Sequence, residues 1–158
     1  MFPTLKLSTI KDKWVNALAN CSDIETFCQD NYGKSPTIFV GLNHKKAPPE
    51  EDYPLIILRP GAKKEGLSQD KNQYAISIGW GIINENIIEN DEVKELEGID
   101  ECDEFGQLIV EKLVEINPSY PLTEIDYEIE AVEFFPKIIG EMMLELEIKA
   151  AIGHQIDY

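Results

Sequence analysis

Apolar residues recur at helical spacing through the first part of the chain. Between residues 8 and 32, Trp14 and Leu18 belong to one apolar stripe, and Ser22 opens a capping-box pattern that predicts a second, short helix. Gly33 predicts the end of that helix, because glycine adopts the left-handed conformation common after a helix. The pattern therefore predicts two helices in succession.

Three apolar runs in the middle of the chain predict strands: residues 37–42, 53–61 and 72–84. Prolines near both ends of the second run are expected to confine the strand to the residues between them. In the third run, Tyr74, Ile76, Ile78 and Trp80 alternate with small residues. The small residues predict that another backbone approaches this face closely, or that the strand bends or bulges there.

Residues 85–104 contain ten acidic residues and one lysine. So many like charges repel one another and leave little apolar surface to bury, which predicts a mobile, solvated loop. The next segment, residues 104–117, has one apolar face and predicts an amphipathic helix that ends before Pro118. We expect Leu108, Ile109 and Leu113 to pack against the strand that carries Trp80.

Residues 124–151 alternate between apolar and acidic side chains and predict a hairpin of two long strands. A symmetric turn at Pro136-Lys137 would place Asp126 opposite Glu147 and Glu128 opposite Glu145. Like charges directly opposite one another destabilise a sheet. The candidate functional residues are the acids of this face: Asp126, Glu128, Glu130, Glu145 and Glu147.

The predicted order of elements is helix, three strands, helix, two strands. This order and the short connections predict an α+β fold, with an antiparallel sheet of about five strands and helices packed on one face. The length of 158 residues suits a single domain, here residues 1–158 with an acidic loop at 85–104.

The charge balance restricts the possible partners. Thirty acidic residues against 14 basic ones give a net charge of -16, which disfavours direct binding of nucleic acid or of an anionic membrane. No run approaches the roughly 20 apolar residues of a spanning helix. Three cysteines without a C-x-x-C pair predict buried thiols at Cys21 and Cys28, in a reducing compartment, rather than disulfides or a zinc site.

The sequence lacks the usual signs of an active site. Its two histidines, His44 and His154, do not accompany a nucleophile motif, and "GWG" lacks the lysine of a phosphate-binding loop. The acidic segment does not follow the register of a calcium-binding loop. We therefore predict no catalytic residue, cofactor or metal, and a protein that is not an enzyme.

Several patterns along residues 8–150 resemble the small tail-terminator, or tail-completion, proteins of long-tailed bacteriophages and prophages. They are the leading helix, "TIFVG" before a proline-rich loop, "DYPLIILRPG", "YAISIGWGI", "FGQLIVEKL" and "YEIEAVEFFPKIIGEMMLELEI". The resemblance implies a small α+β virion protein, assembled in the cytoplasm of a host bacterium, that forms a ring, typically a hexamer. Its partners would be further copies of itself, the tail tube protein and the head connector or head-completion protein.

Such a ring lies on the path of the DNA, so the acidic strand face is a candidate lumen wall that repels phosphate. The alternative is a solvated face that keeps the protein soluble. The acidic segment at 85–104 is longer than such a domain needs, and is either a tube contact or an unstructured excursion. Two rival functions remain open: an acidic DNA mimic that inhibits a DNA-binding enzyme, and another kind of soluble interaction domain.

Overall fold

The computed structural model describes residues 6–42, 45–65, 71–116, 122–131 and 133–149. Its helices are α1 (Leu7–Ala19), α2 (Ser22–Tyr32) and α3 (Glu97–Ile116), with a single 3-10 turn at Glu50–Asp52. Its strands are β1 (Thr37–Val40), β2 (Leu55–Lys64), β3 (Lys71–Ile83), β4 (Ile87–Asn90), β5 (Val93–Leu96), β6 (Leu122–Glu130) and β7 (Lys137–Lys149).

Five strands form the main sheet in the order β1-β2-β3-β7-β6, and helices pack against it. The predicted α+β class and the predicted number of strands in this sheet are confirmed. The prediction of a wholly antiparallel sheet is wrong at one pairing, because β1 runs parallel to β2. Parallel neighbours need a crossover of about a dozen residues or more. The proline-rich connection at residues 41–54 provides that length, and within its described residues the helical part is the 3-10 turn at Glu50–Asp52.

Strand β2 extends beyond Pro60, although proline was predicted to end it. The sheet tolerates this proline because β1 pairs with β2 only as far as Leu58, so the missing amide hydrogen at Pro60 faces no partner strand. A bulge between Pro60 and Ala62 then shifts the register against β3. Beyond Pro60, β2 therefore continues to Lys64 paired with β3 alone.

The helices cover one face of the sheet and bury a single large apolar cluster there. Trp80 lies at its centre, fully buried, and its indole nitrogen donates a hydrogen bond of 2.8 Å to the carbonyl oxygen of Cys102. Ile109 and Leu113 belong to the same buried cluster, which confirms the predicted packing of α3 on β3. A Cβ atom at Gly140 would lie 2.1 Å from the Trp80 ring, so glycine makes room for the indole.

The two leading helices are confirmed, but the predicted capping box is not. The N-cap residue of α2 is Cys21, which makes no side-chain capping bond, and Ser22 is already helical. Cys21 is buried instead, and its carbonyl oxygen accepts the amide of Glu25 at 3.0 Å. Gly33 ends the helix in the left-handed conformation with φ at 70°, as predicted.

The acidic segment at residues 85–104 forms regular secondary structure, so the prediction of a loop is wrong, while its first half is exposed to solvent as predicted. Its first half forms the hairpin β4–β5, which turns at Asp91 with φ at 52°. Aspartate tolerates this left-handed conformation better than most residues. Its second half forms the first two turns of α3, where Glu97 and Asp100 lie near the positive end of the helix dipole. The acids thus have local structural roles.

All three cysteines are free and buried, as predicted for Cys21 and Cys28. Burial raises the pKa of the Cys102 thiol to about 12, so the thiol stays protonated near neutral pH. None of the described helices combines the length and apolar character needed to cross a lipid bilayer.

Candidate functional site

The face of the sheet opposite the helices is called the open face here, and it holds all five candidate acids. Strand β6 contributes three of them and β7 contributes two: Asp126, Glu128, Glu130, Glu145 and Glu147. Their neighbours in sequence, such as Leu144 and Leu146, point into the helix-covered core. The predicted alternation of acidic and apolar faces is therefore confirmed along this hairpin.

The predicted pairing across the hairpin is wrong, although the predicted faces are right. Glu128 lies opposite Glu141 and not Glu145, and Asp126 lies opposite Met143 and not Glu147. The connection occupies residues 131–136, with the amide of Lys137 donating to the carbonyl oxygen of Phe134 at 2.8 Å. This longer connection centres the hairpin two residues earlier than a tight turn at Pro136-Lys137 would. Each partner therefore moves by four residues, and an even shift keeps every side chain on its face.

The observed register brings two further acids into the acidic rows. Glu141 faces Glu128, and Glu124 faces Glu145. A cation also reaches this surface from β2: the Arg59 guanidinium lies 3.0 Å from the Glu141 carboxylate. Leu55, Ile57 and Arg59 occupy every second position of β2, so the period of the strand could have placed all three residues on one face.

The small residues of β3 give room to side chains of the open face. A Cβ atom at Gly79 would lie 3.3 Å from the Arg59 guanidinium, and one at Gly81 would lie 2.8 Å from the Tyr53 ring. The sequence predicted an approaching backbone or a bend at these positions. The close neighbours are instead the side chains of Arg59 and Tyr53, which lie across the floor of the open face.

A cleft of about 390 Å³ opens on this face between β2 and the hairpin connection. Its floor is apolar and includes Leu55, Ile57 and Ile139, while its rim is mostly acidic: Glu128, Glu130, Glu133 and Glu141. Lys137 also lines the cleft, with its ammonium 5.4 Å from the centre of the Tyr53 ring. Burial raises the pKa of Tyr53, so its hydroxyl stays neutral over a wide pH range. Sequence reasoning missed this cleft.

Strand β6 is an edge strand of the main sheet, and the helices cover its apolar side incompletely. Ile125 is 38% exposed and Tyr127 is 37% exposed. The Tyr127 ring packs against Trp80 with 5.0 Å between ring centres, and its hydroxyl donates to the Asp103 carboxylate at 2.7 Å. Burial, and next the hydrogen bond to Asp103, raise the pKa of Tyr127.

The open face gathers carboxylates of β6 and β7 beside an apolar cleft. Among the residues that the structure describes, no group of three or more histidine, cysteine, aspartate or glutamate side chains could hold a metal ion. His44 and His154 lie outside the described residues. What the open face provides is a field of carboxylates beside an apolar cleft, which is suited to binding or repelling a charged partner.

A search with protein-family models gives no match to this chain, and a search of curated proteins gives no significant match.

Proposed function

We propose that this protein is a non-enzymatic structural subunit of a phage or phage-like tail. Copies of it form a ring, with six as the expected number, that caps the tail tube and joins it to the head connector. The observation that carries the proposal is the exposed acidic field of the open face, formed by β6 and β7. The resemblance of the sequence to tail-terminator proteins suggests a role for this acidic field as the wall of a lumen.

A ring on the path of a genome must let DNA slide without adhering. Duplex DNA carries one negative charge per roughly 1.7 Å of its axis, so a wall of carboxylates repels it along its whole length. Asp126, Glu128 and Glu130 have no cationic partner among the described residues. Their charge is therefore available to act on a molecule in the lumen.

Ring formation also needs surfaces that bind neighbouring copies. The hairpin β4–β5 exposes Ile87 at 54% and Val93 at 63%, and a two-stranded ribbon is only marginally stable alone. Exposed apolar side chains on such a ribbon favour contact with another protein surface. We assign this hairpin to the contact between neighbouring subunits.

The test combines mass measurement in solution with negative-stain images at high protein concentration, with and without purified tail tubes. We expect closed rings, and a gold label on Glu128→Cys at the inner rim. The matched control is a label on Glu111→Cys, at an exposed position of α3, which should lie away from the lumen. A monomer under every condition would contradict the ring, and a Glu128 label on the outer rim would contradict the acidic lumen.

A DNA mimic is the second candidate function, favoured by the spacing of the acids on β6. Glu124, Asp126, Glu128 and Glu130 occupy alternate positions, and alternate residues of a strand lie about 6.8 Å apart. That distance is close to two steps of the roughly 3.4 Å phosphate spacing along one DNA strand. Salt-sensitive inhibition of a DNA-binding enzyme by the monomer, lost in Glu128→Gln, would favour the mimic over the ring.

A further inference from the structure

Strand β6 combines three properties that favour pairing with a strand of another protein. It is nine residues long, it lies at an edge of the main sheet, and its two sides differ sharply in chemistry. An edge strand presents alternate N–H and C=O groups that no neighbouring strand satisfies. We propose that β6 binds an extended segment of a partner protein in which basic and apolar residues alternate.

The open side of β6 sets the basic half of this pattern. Asp126, Glu128 and Glu130 project there without a cationic partner among the described residues. The row behind them adds Glu141 opposite Glu128. Lysine or arginine at alternate positions of an added strand would lie directly opposite the β6 acids and relieve the repulsion across the hairpin.

The other side of β6 sets the apolar half. Ile125 and Tyr127 point towards the helices and yet remain more than a third exposed, although the Tyr127 hydroxyl reaches Asp103 of α3. A strand added in register would place its apolar side chains beside these two residues. The pairing would bury apolar surface on one side and neutralise charge on the other.

A second copy of this chain is a poor occupant of the same edge. Antiparallel pairing of two β6 strands about Tyr127 would set Asp126 against Glu128 of the other copy, and an in-register parallel pairing would also oppose like charges. The other edge strand, β1, has four residues and no charged side chain, so it would leave the acids of β6 unpaired. The chemistry of the edge therefore favours a different, basic protein. Such pairing would occupy the same acids that the proposed lumen exposes, so one subunit can do only one of the two at a time.

The probe is a capped peptide of about nine residues in which lysine alternates with valine, long enough to match β6. One control has the same composition with the lysines grouped at one end, and a second alternates glutamate with valine. We expect the alternating lysine peptide to bind about tenfold or more tightly than either control. Amide hydrogen exchange should slow at alternate positions of β6. Equal binding of the two lysine peptides, or slowed exchange only outside β6, would overturn the proposal.

Charge reversal locates the binding on the edge. The variant Asp126→Lys with Glu128→Lys should lose about tenfold or more in affinity for the alternating lysine peptide and should gain affinity for the glutamate peptide. The variant Asp30→Lys with Glu111→Lys changes the net charge equally at exposed helix positions outside the acidic rows, so it should change affinity less than about threefold. Equal losses in both variants would mean that net charge alone attracts the peptide.

The native protein provides a measurement that does not depend on variants. Without peptide, exchange at β6 should not slow as protein concentration rises. Slowing with concentration would assign the edge to a second copy and would overturn the proposal of a basic partner.

Discussion

The two faces of the main sheet are made by the same strands but differ in burial and in charge. On the helix-covered face, Trp80 and its neighbours are fully buried, and glycine at position 140 is needed to fit the indole. On the open face, alternate residues of the same strands are small, charged or part of a shallow cleft. The helix-covered face buries the larger apolar cluster, and the open face buries a smaller one around Leu55 and Ile57. The rest of the open face holds like charges at a cost of a few tenths of a kcal/mol per pair.

The largest expected difference between the faces is at the centre of the core. Trp80→Ala should lower the free energy of unfolding by about 3–5 kcal/mol, because it removes a buried ring and leaves a cavity. Met143→Ala, on the open face, should cost less than about 1 kcal/mol, since Met143 is partly exposed. Urea denaturation measures both, and similar losses would mean that the open face is covered in solution.

Paired glycine substitutions test the same contrast with one added methyl group. Gly140→Ala should cost about 1–3 kcal/mol, because its Cβ would overlap the Trp80 ring in a packed core. Gly79→Ala should change stability by less than about 0.5 kcal/mol, because its nearest neighbour is the far end of the long Arg59 side chain, which can shift by a few tenths of an ångström. Thermal denaturation of the two variants gives the comparison. A larger loss at Gly79 would show that the open face is packed as rigidly as the core.

Tyr127 connects the edge strand β6 to α3 through the hydrogen bond of its hydroxyl to Asp103. Removing the hydroxyl measures how much this bond contributes to stability. Tyr127→Phe should cost about 1 kcal/mol, since it removes the hydrogen bond to Asp103 while keeping the ring beside Trp80. A double-mutant cycle with Asp103→Ala isolates this bond. If the effects of the two variants simply add, the hydrogen bond contributes nothing measurable, and the Tyr127 side chain is held by the packing of its ring.

The smallest expected effect concerns repulsion on the open face. Glu145→Gln should raise the free energy of unfolding by a few tenths of a kcal/mol, because it relieves the like-charge pair with Glu124. Glu141→Gln relieves a similar pair but also removes the ion pair with Arg59, so it should give no gain. The difference should shrink in high salt, where surface charges are screened. A loss of folding in Glu145→Gln would mean that its carboxylate is paired rather than repelled.

Local sequence patterns predicted which side of each strand is buried better than they predicted which residues pair across neighbouring strands. The strict alternation along residues 124–147 identified the buried and exposed sides of the hairpin, because a strand has a period of two whatever its partner is. The register depended on the six-residue connection that includes Phe134 and Pro136, for which the pattern carries no signal. The candidate acids were therefore found, while their partners Glu124 and Glu141 were missed.

Charge was the least informative local signal. Residues 85–104 were predicted to be a loop from their negative charge, yet β4, β5 and the start of α3 use that charge at a turn and at a helix N-terminus. The cleft was missed for another reason: its walls come from β2, β3 and the β6–β7 connection, which are distant in sequence. The only sequence signal near the cleft was the pair of glycines at positions 79 and 81. The pattern did not show that the side chains of Arg59 and Tyr53 occupy the space beside them.

The pairing of β3 with β7 has a consequence for the time course of folding. It joins Ile83 to Lys137 and Lys71 to Lys149, so β3 must wait for a strand that emerges from the ribosome roughly 50 to 80 residues later. Until then β2 and β3 can form only a ribbon, with Trp80 lacking the strand that carries Gly140. During synthesis, the apolar side of β3 thus lacks one of its two neighbouring strands for several seconds at ordinary translation rates. In a crowded cell, a chaperone that holds this nascent ribbon would raise the yield of folded protein.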